Sequence, residues 1–302
     1  MITLRNKEDK YILSTVRIET DTGTGTGFIT KFSDDIYGKL TDVYFLVTNK
    51  HVIKNGKKIT IKMHKLESNF RPRGNELEID LENHSEATIE TNLNELFFFH
   101  PNENVDIALV NFNQTILKKF ISLFIPIDID NTIPVRNSNQ INLYDDITFI
   151  GYPNGLYDEK HLLPIIRRGS FATSYQVDFN GNPIFLIDAS VFPGSSGSPV
   201  FLFDRHDTEF DGKKMNLSTP RIYFLGIISA VYTRDELFNL IQVQDIKAHG
   251  KQMIDIGIVY KASEIRKLMK MYLIENIAKS KILDINDEES MDKILKLILE
   301  QQ

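Results

Sequence analysis

A run of small residues in the second half of the chain could expose a reactive side chain on a tight loop. The run covers residues 193–199 and reads PGSSGSP. A serine hydroxyl attacks a carbonyl carbon efficiently only beside a base and beside donors that stabilise the oxyanion. Glycine on both sides of Ser196 lets the main chain turn tightly and approach a bound molecule closely. The pattern predicts a nucleophile at Ser196 and an oxyanion hole at Gly194, Ser195 and Ser196, with the N–H groups of Gly194 and Ser196 as donors.

Two further side chains have the chemistry that such a serine needs. His51 follows the apolar residues 45–48 after a short polar turn, and an imidazole there could act as general base. Asp106 precedes the apolar residues 107–110, where a carboxylate could accept the Nδ1–H of the imidazole and fix its tautomer. Each residue alone would be read as structural. Their order, with Asp106 following His51 by 55 residues and Ser196 following by 90 more, favours one catalytic group.

The elements that must position these side chains are mostly short strands. Candidate strands in the first half are residues 16–19, 27–29, 43–48, 58–63 and 107–112, and those in the second half are 147–151, 184–187, 199–203, 222–230 and 254–260. Turn signals such as Asn55-Gly56 and Asn154-Gly155 separate them. Many short strands with few helical periods predict an all-β sandwich or barrel.

The serine segment resembles the G-[DN]-S-G-G-P signature of chymotrypsin-fold, trypsin-like serine proteases. It departs from the signature at Ser195, which stands in the place of Asp or Asn, and at Ser198, which stands in the place of Gly. Together with the Asp188-Ala189 pair upstream, the segment looks most like the bacterial Deg/HtrA branch. The chain would then lack the PDZ domain that follows the protease in many members of that branch.

The other two segments resemble the same family. FLVTNKHVI at residues 45–53 resembles the motif L-T-[AN]-x-H-V, and DIALV at residues 106–110 resembles D-[IL]-A-L-[LV]. The order His, Asp, Ser is that of chymotrypsin and differs from those of subtilisins and α/β-hydrolases. The resemblance spans about residues 16–259. It implies an all-β fold of two six-stranded antiparallel Greek-key barrels, with the three residues in the cleft between them.

Three shorter matches fall in the same register. TGTGFI at residues 24–29 resembles the strand that opens Deg-type domains, and IGYPNG at residues 150–155 resembles a strand end of the second barrel. The glycine-rich segment 24–29 lacks the lysine of a phosphate-binding loop, so that interpretation is rejected. LGIISA at residues 225–230 resembles the strand that lines the substrate channel. The resemblance implies that the Ser229 hydroxyl contacts the orienting Asp106.

Substrate recognition is also implied by the resemblance. The main chain of Ser229, Ala230 and Val231 would pair with an extended substrate as an added strand. Trypsins have an aspartate at the base of the first pocket, six residues before the nucleophile, where this chain has Ser190. With Val191 and Phe192 following, we expect an uncharged pocket that prefers small or medium apolar side chains. Asp188 is expected to lie away from the pocket base.

Composition excludes several other functions. The 302-residue chain is 42% hydrophobic and 25% charged, and its net charge of −6 argues against a nucleic-acid partner. It contains no cysteine, which excludes disulfides, cysteine-bound zinc and a thiol nucleophile. No apolar run has the length of a signal-peptide core or a membrane span. We expect a cytoplasmic protein that acts on protein or peptide substrates without metal, cofactor, nucleic acid or membrane.

The end of the chain has a helical pattern. Apolar residues recur near helical spacing in residues 262–279, and a second helix is predicted for 288–299. We therefore predict a protease domain at residues 1–260, with barrels at about 11–125 and 140–260, and a helical extension at 261–302. The helices are expected to pack on the barrel. A regulatory partner or self-association through them is an alternative.

Two other functions fit parts of the pattern. The chain could be a protease fold used as a binding or scaffolding module with little turnover. It could also be a hydrolase of small esters. The presence of Ser196, His51 and Asp106 together favours a serine endopeptidase.

Overall fold

The computed structural model of the protein describes residues 2–4, 9–36, 39–64, 71–73, 76–79, 84–112, 126–134, 141–204, 208–210, 215–217, 221–239 and 247–284. The first half contains the strands β1 (Ile2–Leu4), β2 (Thr15–Thr20), β3 (Gly23–Ile36), β4 (Lys39–Thr48), β5 (Lys58–His64), β6 (Arg71–Arg73), β7 (Glu76–Ile79), β8 (His84–Glu90), β9 (Phe98–Phe99), β10 (Ala108–Asn111) and β11 (Ile127–Asp128). The second half contains β12 (Asp146–Gly151), β13 (Ile165–Phe171), β14 (Ile184–Asp188), β15 (Pro199–Asp204), β16 (Thr208–Phe210), β17 (Met215–Leu217), β18 (Arg221–Asn239) and β19 (Lys247–Lys261). The helices are α1 (Lys50–Ile53), α2 (Leu93–Leu96), α3 (Ile129–Thr132) and α4 (Ala262–Asp284).

The second half forms a closed barrel of six strands in the order β12-β13-β14-β19-β18-β15. Successive residues of a strand point to opposite faces, and β15 follows this rule. Val200 packs inside the barrel, whereas Phe201 packs outside it in a second cluster. Both residues are fully buried. The apolar sequence of this strand therefore reflects burial on both faces.

The first half forms a curled sheet of eight strands. Seven follow the order β8-β5-β2-β3-β4-β10-β9, and β11 pairs in parallel with β3. This sheet is the first barrel of the expected fold in the form of a curled half-barrel, since pairing among the described residues leaves it open between β8 and β9. β9 has only two residues, too few to continue the ladder around a barrel. The predicted class, an all-β chymotrypsin-like two-barrel fold with a C-terminal helix, is confirmed.

One hydrophobic cluster joins the two halves. Phe28 and Phe45 of the first sheet pack in it with Phe201 and Phe224 of the second barrel. The rings of Phe28 and Phe224 meet edge to face, with centroids 5.4 Å apart. The helix α4 completes the cluster with the buried residues Ala262, Ile265, Leu268, Met269 and Leu273.

The predicted helix at residues 262–279 is present as α4, which continues to Asp284. Its apolar face is buried against the barrels, since Leu268 and Met269 have no exposed surface. The second predicted helix, at residues 288–299, lies outside the described residues. Within the part of the chain that is described, no helix has both the length and the apolar character needed to cross a membrane.

The last hairpin of the barrel is longer than the sequence predicted. β18 and β19 pair within the barrel and then continue as a ribbon in which Thr233 lies opposite Met253 and Asn239 opposite Lys247. The register shifts near Ser229 and again between Val231 and Thr233. Such bulges increase the local twist and bend the strand.

Candidate active site

Pairing of β4 with β10 brings His51 to Asp106. Thr48, the last residue of β4, lies opposite Ala108, the first residue of β10. His51 follows this pair by three residues and Asp106 precedes it by two, so the chain returns to the same point after 55 residues. The site therefore follows from strand register rather than from a local motif.

Asp106 holds the imidazole of His51 in one orientation. Its Oδ2 lies 2.5 Å from His51 Nδ1, and its Oδ1 accepts the His51 main-chain N–H at 3.0 Å. The Asp106 carbonyl accepts the Asn49 side-chain amide at 2.7 Å. The His51 side chain is 50% exposed, and Nε2 has no hydrogen-bond partner among the described residues. In this orientation Nε2 is available to take a proton.

Asp106 is kept ionised by its donors. Burial of the carboxylate acts to raise its pKa, but the hydrogen bond and charge of His51, and a hydrogen bond from Ser229, outweigh burial and lower it. Ser229 Oγ donates to Asp106 Oδ2 at 2.5 Å. This is the contact that the family resemblance implied.

Ser196 lies beside Ser229 because β15 pairs with β18. Pro199 at the start of β15 lies opposite Ile227, and the loop before it continues the pairing through the Gly197 N–H, which donates to the Ile228 carbonyl at 2.8 Å. Ser196 Oγ donates to the Ser229 carbonyl at 2.9 Å. No hydrogen bond joins Ser196 to His51 among the described contacts. A proton transfer from this hydroxyl to His51 Nε2 would require the hydroxyl to leave the Ser229 carbonyl.

The backbone around Ser196 requires glycine on both sides. Gly194 has φ of +85° and Gly197 has φ of +91°, in the region that side chains with a Cβ rarely adopt. A Cβ on Gly194 would lie 2.6 Å from the Tyr152 carbonyl oxygen, and one on Gly197 would overlap the Thr26 carbonyl. Substitution at either position would therefore displace the loop.

Four carbonyls of the loop accept hydrogen bonds, whereas two of its N–H groups have no described partner. The Pro193 carbonyl accepts from Asn154 N at 2.5 Å, and the Gly194 carbonyl accepts from Thr26 Oγ1 at 2.9 Å. The Ser195 carbonyl accepts from Ser198 N at 3.0 Å, and the Ser196 carbonyl accepts from Thr26 N at 2.9 Å. Of the N–H groups, that of Ser195 donates to the Phe192 carbonyl at 3.0 Å. The N–H groups of Gly194 and Ser196 donate to no described group. Two fixed and unpaired N–H groups beside a serine hydroxyl can stabilise a developing oxyanion.

Ser195 adds no side-chain bond to this loop. Its side chain is buried, and its Oγ has no hydrogen-bond partner among the described residues. Because a serine side chain is uncharged, Ser195 cannot form the ion pair with an N-terminal amine that an aspartate at this position could form.

The predicted pocket residues differ in their surroundings. Ser190 is half-buried, and Phe192 is 39% exposed. Val191 is 3% exposed and packs in the core of the second barrel, so only its main chain is free to meet a substrate. Ala230 and Val231 lie on β18, opposite Ile258 and Gly257 of β19.

Two charged residues lie near these positions. Asp188, at the end of β14, is exposed, while its neighbour Ile187 points into the core. Arg167 on β13 stacks on the ring of Phe192, with its guanidinium carbon 5.1 Å from the ring centroid. Burial lowers the pKa of Arg167, and the charge of Asp255 opposes this effect.

Sequence reasoning missed two residues that support the site. Thr26 and Asn49 fall within the motif segments, but their residue types alone do not indicate a role. Both are fully buried, although threonine and asparagine are usually exposed. Burial of a polar side chain beside a predicted catalytic residue is a signal for such a role, but burial itself is not visible in one sequence.

The fold is that of the chymotrypsin-like serine peptidase class, and strand pairing brings together the segments that contain His51, Asp106 and Ser196. The sequence profile of the trypsin-like peptidase domain family matches residues 25–207, more than half of the chain. The chain belongs to this family and is a serine protease. No match was found among curated proteins.

The solved structures that match the chain are distant in sequence. The Rv3671c protease of M. tuberculosis H37Rv, in an inactive form, is 17% identical, with 86% of this chain and 89% of that chain covered and a TM-score of 0.43. The thermostable serine protease AL20 from an extremophilic microorganism is 13% identical, with coverages of 86% and 95% and a TM-score of 0.43. A serine protease of a human pathogenic astrovirus is 14% identical, with coverages of 83% and 90% and a TM-score of 0.37.

Proposed function

We propose that the protein is an endopeptidase that cleaves peptide bonds through Ser196, His51 and Asp106. The observation that carries this proposal is a continuous set of hydrogen bonds. His51 Nδ1 meets Asp106, Asp106 accepts from the Ser229 hydroxyl, and the Ser229 carbonyl accepts from Ser196. These contacts among four separate segments support one shared site, in which the Ser196 hydroxyl would act after it turns from the Ser229 carbonyl to His51 Nε2.

The proposed reaction has two stages. The Ser196 hydroxyl turns to His51 Nε2, gives up its proton and forms a bond from Oγ to the scissile carbonyl carbon. The N–H groups of Gly194 and Ser196 stabilise the oxyanion, and His51 then protonates the leaving amine as the C–N bond breaks. Water attacks the acyl-enzyme with His51 again as base, which releases the acid and restores the serine. Asp106 remains ionised and stabilises the imidazolium throughout.

The substrate is proposed to bind as an extended peptide. Beyond Ile227, where the pairing with β15 ends, the main chain of Ser229, Ala230 and Val231 continues along β18. A peptide can add to such a strand edge through main-chain hydrogen bonds. This mode suits flexible segments of proteins and peptides better than small esters.

The first pocket is proposed to accept small or medium apolar side chains. Ser190 is uncharged, and the exposed position of Asp188 supports its displacement from the pocket base. A panel of fluorogenic peptides that differ only at the residue before the scissile bond tests this. Fast cleavage after Arg would overturn the proposal and implicate Asp188. Fast cleavage after Glu would overturn it and implicate Arg167.

The function is tested with a peptide library. We expect cleavage by the wild type, and a loss of about 10⁶-fold in kcat for Ser196→Ala, as for nucleophile removal in other serine proteases. The matched control is Ser174→Ala in the second barrel, whose hydroxyl accepts the Gln176 N–H and bonds none of the proposed site residues among the described contacts. Equal cleavage by wild type and Ser196→Ala would reject the proposal.

One observation favours a second function, a binding module with little turnover. The Ser196 hydroxyl donates to the Ser229 carbonyl and not to His51. If that arrangement persisted with substrate bound, peptides would bind without being cleaved. The library experiment separates the two functions, because a binding module would show little cleavage in the wild type, whereas an endopeptidase would show cleavage that Ser196→Ala removes.

The remaining predictions complete the proposal. Residues 1–260 would form the protease domain and residues 261–302 an extension, and the chain would belong to the Deg/HtrA branch. The location would be cytoplasmic. The α4 residues that pack with the barrels support a structural role for the start of the extension. A regulatory partner or a second copy of the chain would then bind beyond α4.

A further inference from the structure

Thr26 of β3 reaches across from the first sheet to the Ser196 loop. Its N–H donates to the Ser196 carbonyl at 2.9 Å, and its Oγ1 donates to the Gly194 carbonyl at 2.9 Å. The same Oγ1 accepts the Tyr152 N–H at 3.0 Å, and the Thr26 carbonyl accepts from Thr48 Oγ1 at 2.8 Å. Thr26 has no exposed surface. All of its polar atoms are therefore paired, and it is held from both halves of the molecule.

The two carbonyls that Thr26 holds alternate with the two free N–H groups. The Gly194 carbonyl belongs to the peptide unit between the units that carry the N–H groups of Gly194 and Ser196. The Ser196 carbonyl belongs to the next unit. Neighbouring peptide planes can rotate only about φ and ψ at the shared Cα. Fixing these carbonyls therefore restricts the directions of both N–H groups.

The Thr26 hydroxyl supplies a side-chain hydrogen-bond donor to the loop carbonyls. The other bonds to the loop carbonyls come from main-chain N–H groups of Asn154, Ser198 and Thr26 itself, which nearly any residue could provide. Among the described contacts, Thr26 Oγ1 is the side-chain donor to these carbonyls. Ser195, in the middle of the loop, has a hydroxyl without a described partner.

We propose that Thr26 is a positioning residue that keeps the N–H groups of Gly194 and Ser196 directed at the developing oxyanion. This inference rests on the proposed function. Preorganised donors act on the transition state and spare the enzyme the cost of reorienting them during the reaction. The contacts of Thr26 with the Gly194 and Ser196 carbonyls are uncharged and lie inside the molecule. The proposed oxyanion hole therefore needs no ion pair with a newly formed chain terminus.

Two matched pairs of variants test the hydroxyl. Thr26→Val keeps the shape and removes the hydroxyl, whereas Thr26→Ser and Thr26→Ala both lose the methyl group and differ only in the hydroxyl. Thr30→Val is the control, since Thr30 lies on the same strand, is fully buried and has Oγ1 3.3 Å from the Phe45 carbonyl. Measurements on the folded full-length protein are kcat and KM for one peptide, and the affinities of a peptide aldehyde and of a product peptide.

Loss of the hydroxyl should affect the transition state and not ground-state binding. We expect Thr26→Val and Thr26→Ala to lower kcat by about 10- to 100-fold, somewhat less than removal of an oxyanion donor itself. The aldehyde, which mimics the tetrahedral intermediate, should lose affinity in parallel. KM and product affinity should stay within about twofold, as expected when only transition-state contacts are lost. Thr26→Ser should recover most of kcat, and Thr30→Val should resemble the wild type.

Other outcomes would overturn the inference. Equal kcat for Thr26→Ser and Thr26→Ala would exclude a role for the hydroxyl, and this pair stays informative if Thr26→Val does not fold. A parallel loss of aldehyde and product affinity would indicate general damage to the site. If Ser196→Ala cleaves as well as the wild type, the proposed function fails instead, so the two failures are distinguishable.

Discussion

At the residue scale, Asp106 is the group whose surroundings decide the chemistry of the site. It accepts from the ring and the main chain of His51 and from the Ser229 hydroxyl. These donors favour the charged carboxylate more than burial disfavours it, so its pKa is lowered. The ionised form therefore contributes to folding stability as well as to the orientation of His51.

Asp106→Asn should lower both activity and stability. We expect a loss of about 10⁴-fold in kcat, because an amide favours the wrong imidazole tautomer. A carboxylate with a lowered pKa stabilises the fold above its unfolded pKa of about 3.9, and this contribution disappears as the pH falls through the folded value. The difference in free energy of unfolding between wild type and variant should therefore have its largest value near neutral pH and become smaller below about pH 4.

The measurement is chemical denaturation of both proteins from neutral to acid pH, with Asp146→Asn as control. Asp146 is an exposed carboxylate on β12. A constant difference between wild type and Asp106→Asn at all pH values would show that the charge of Asp106 adds no stability.

The Ser229 hydroxyl should contribute to the pH at which this stability is lost. Ser229→Ala removes a donor that lowers the Asp106 pKa, so the folded pKa should rise. The acid loss of stability should then begin at a higher pH than in the wild type. An unchanged acid profile would contradict the bond between Ser229 and Asp106.

Part of the site could be predicted from single residues. Ser196, His51 and Asp106 stood out because each lies in a recognisable segment, and the structure brings these segments together. The partner of the Ser196 hydroxyl and the bonds of Thr26 could not be predicted, because they depend on how the two halves dock. A threonine in a glycine-rich strand is also too common to suggest a role.

At the element scale, strand register and the packing of α4 determine how the site is held. Ten strand positions were predictable from apolar runs and turn signals, but others, such as β8 and β13, were not. The pairing of Thr48 with Ala108, which joins His51 to Asp106, was not, since periodicity does not specify partners. The long β18–β19 ribbon was missed because its strands continue past the apolar run at residues 222–230 into polar residues such as Thr233 and Asn239.

The buried face of α4 should be essential to the fold. Leu268 is fully buried in the cluster shared with the barrels. Leu268→Ala should lower the free energy of unfolding by about 2–5 kcal/mol, the range for core leucines. Lys270→Ala, a half-buried position on the same helix, should change it by no more than about 0.5 kcal/mol. Equal small effects in thermal denaturation would mean that α4 is dispensable.

At the scale of the whole molecule, one cluster makes the two halves interdependent. Phe28 of the first sheet and Phe224 of the second barrel meet in it, and α4 packs against both. The site lies across the same junction, with His51 and Asp106 on one side and Ser196 and Ser229 on the other. Stability of the junction and geometry of the site are therefore linked.

The two halves should unfold together. Phe224→Ala should cost about 3–5 kcal/mol and lower amide protection in both halves, because the cavity lies between them. Calorimetry with hydrogen exchange measures this, and one transition is expected for both wild type and variant. Two separate transitions, with protection lost only in the second barrel, would show that the halves are independent.

The most direct test of the central claim is the mass of the protein after reaction with a fluorophosphonate probe, with the modified peptide sequenced. We predict one adduct on Ser196 in the wild type, no adduct in Ser196→Ala, and much slower labelling in His51→Ala. The unmodified protein should cleave peptides and the labelled protein should not. An adduct elsewhere, or peptide cleavage that survives complete labelling of Ser196, would contradict the assignment of Ser196 as the nucleophile.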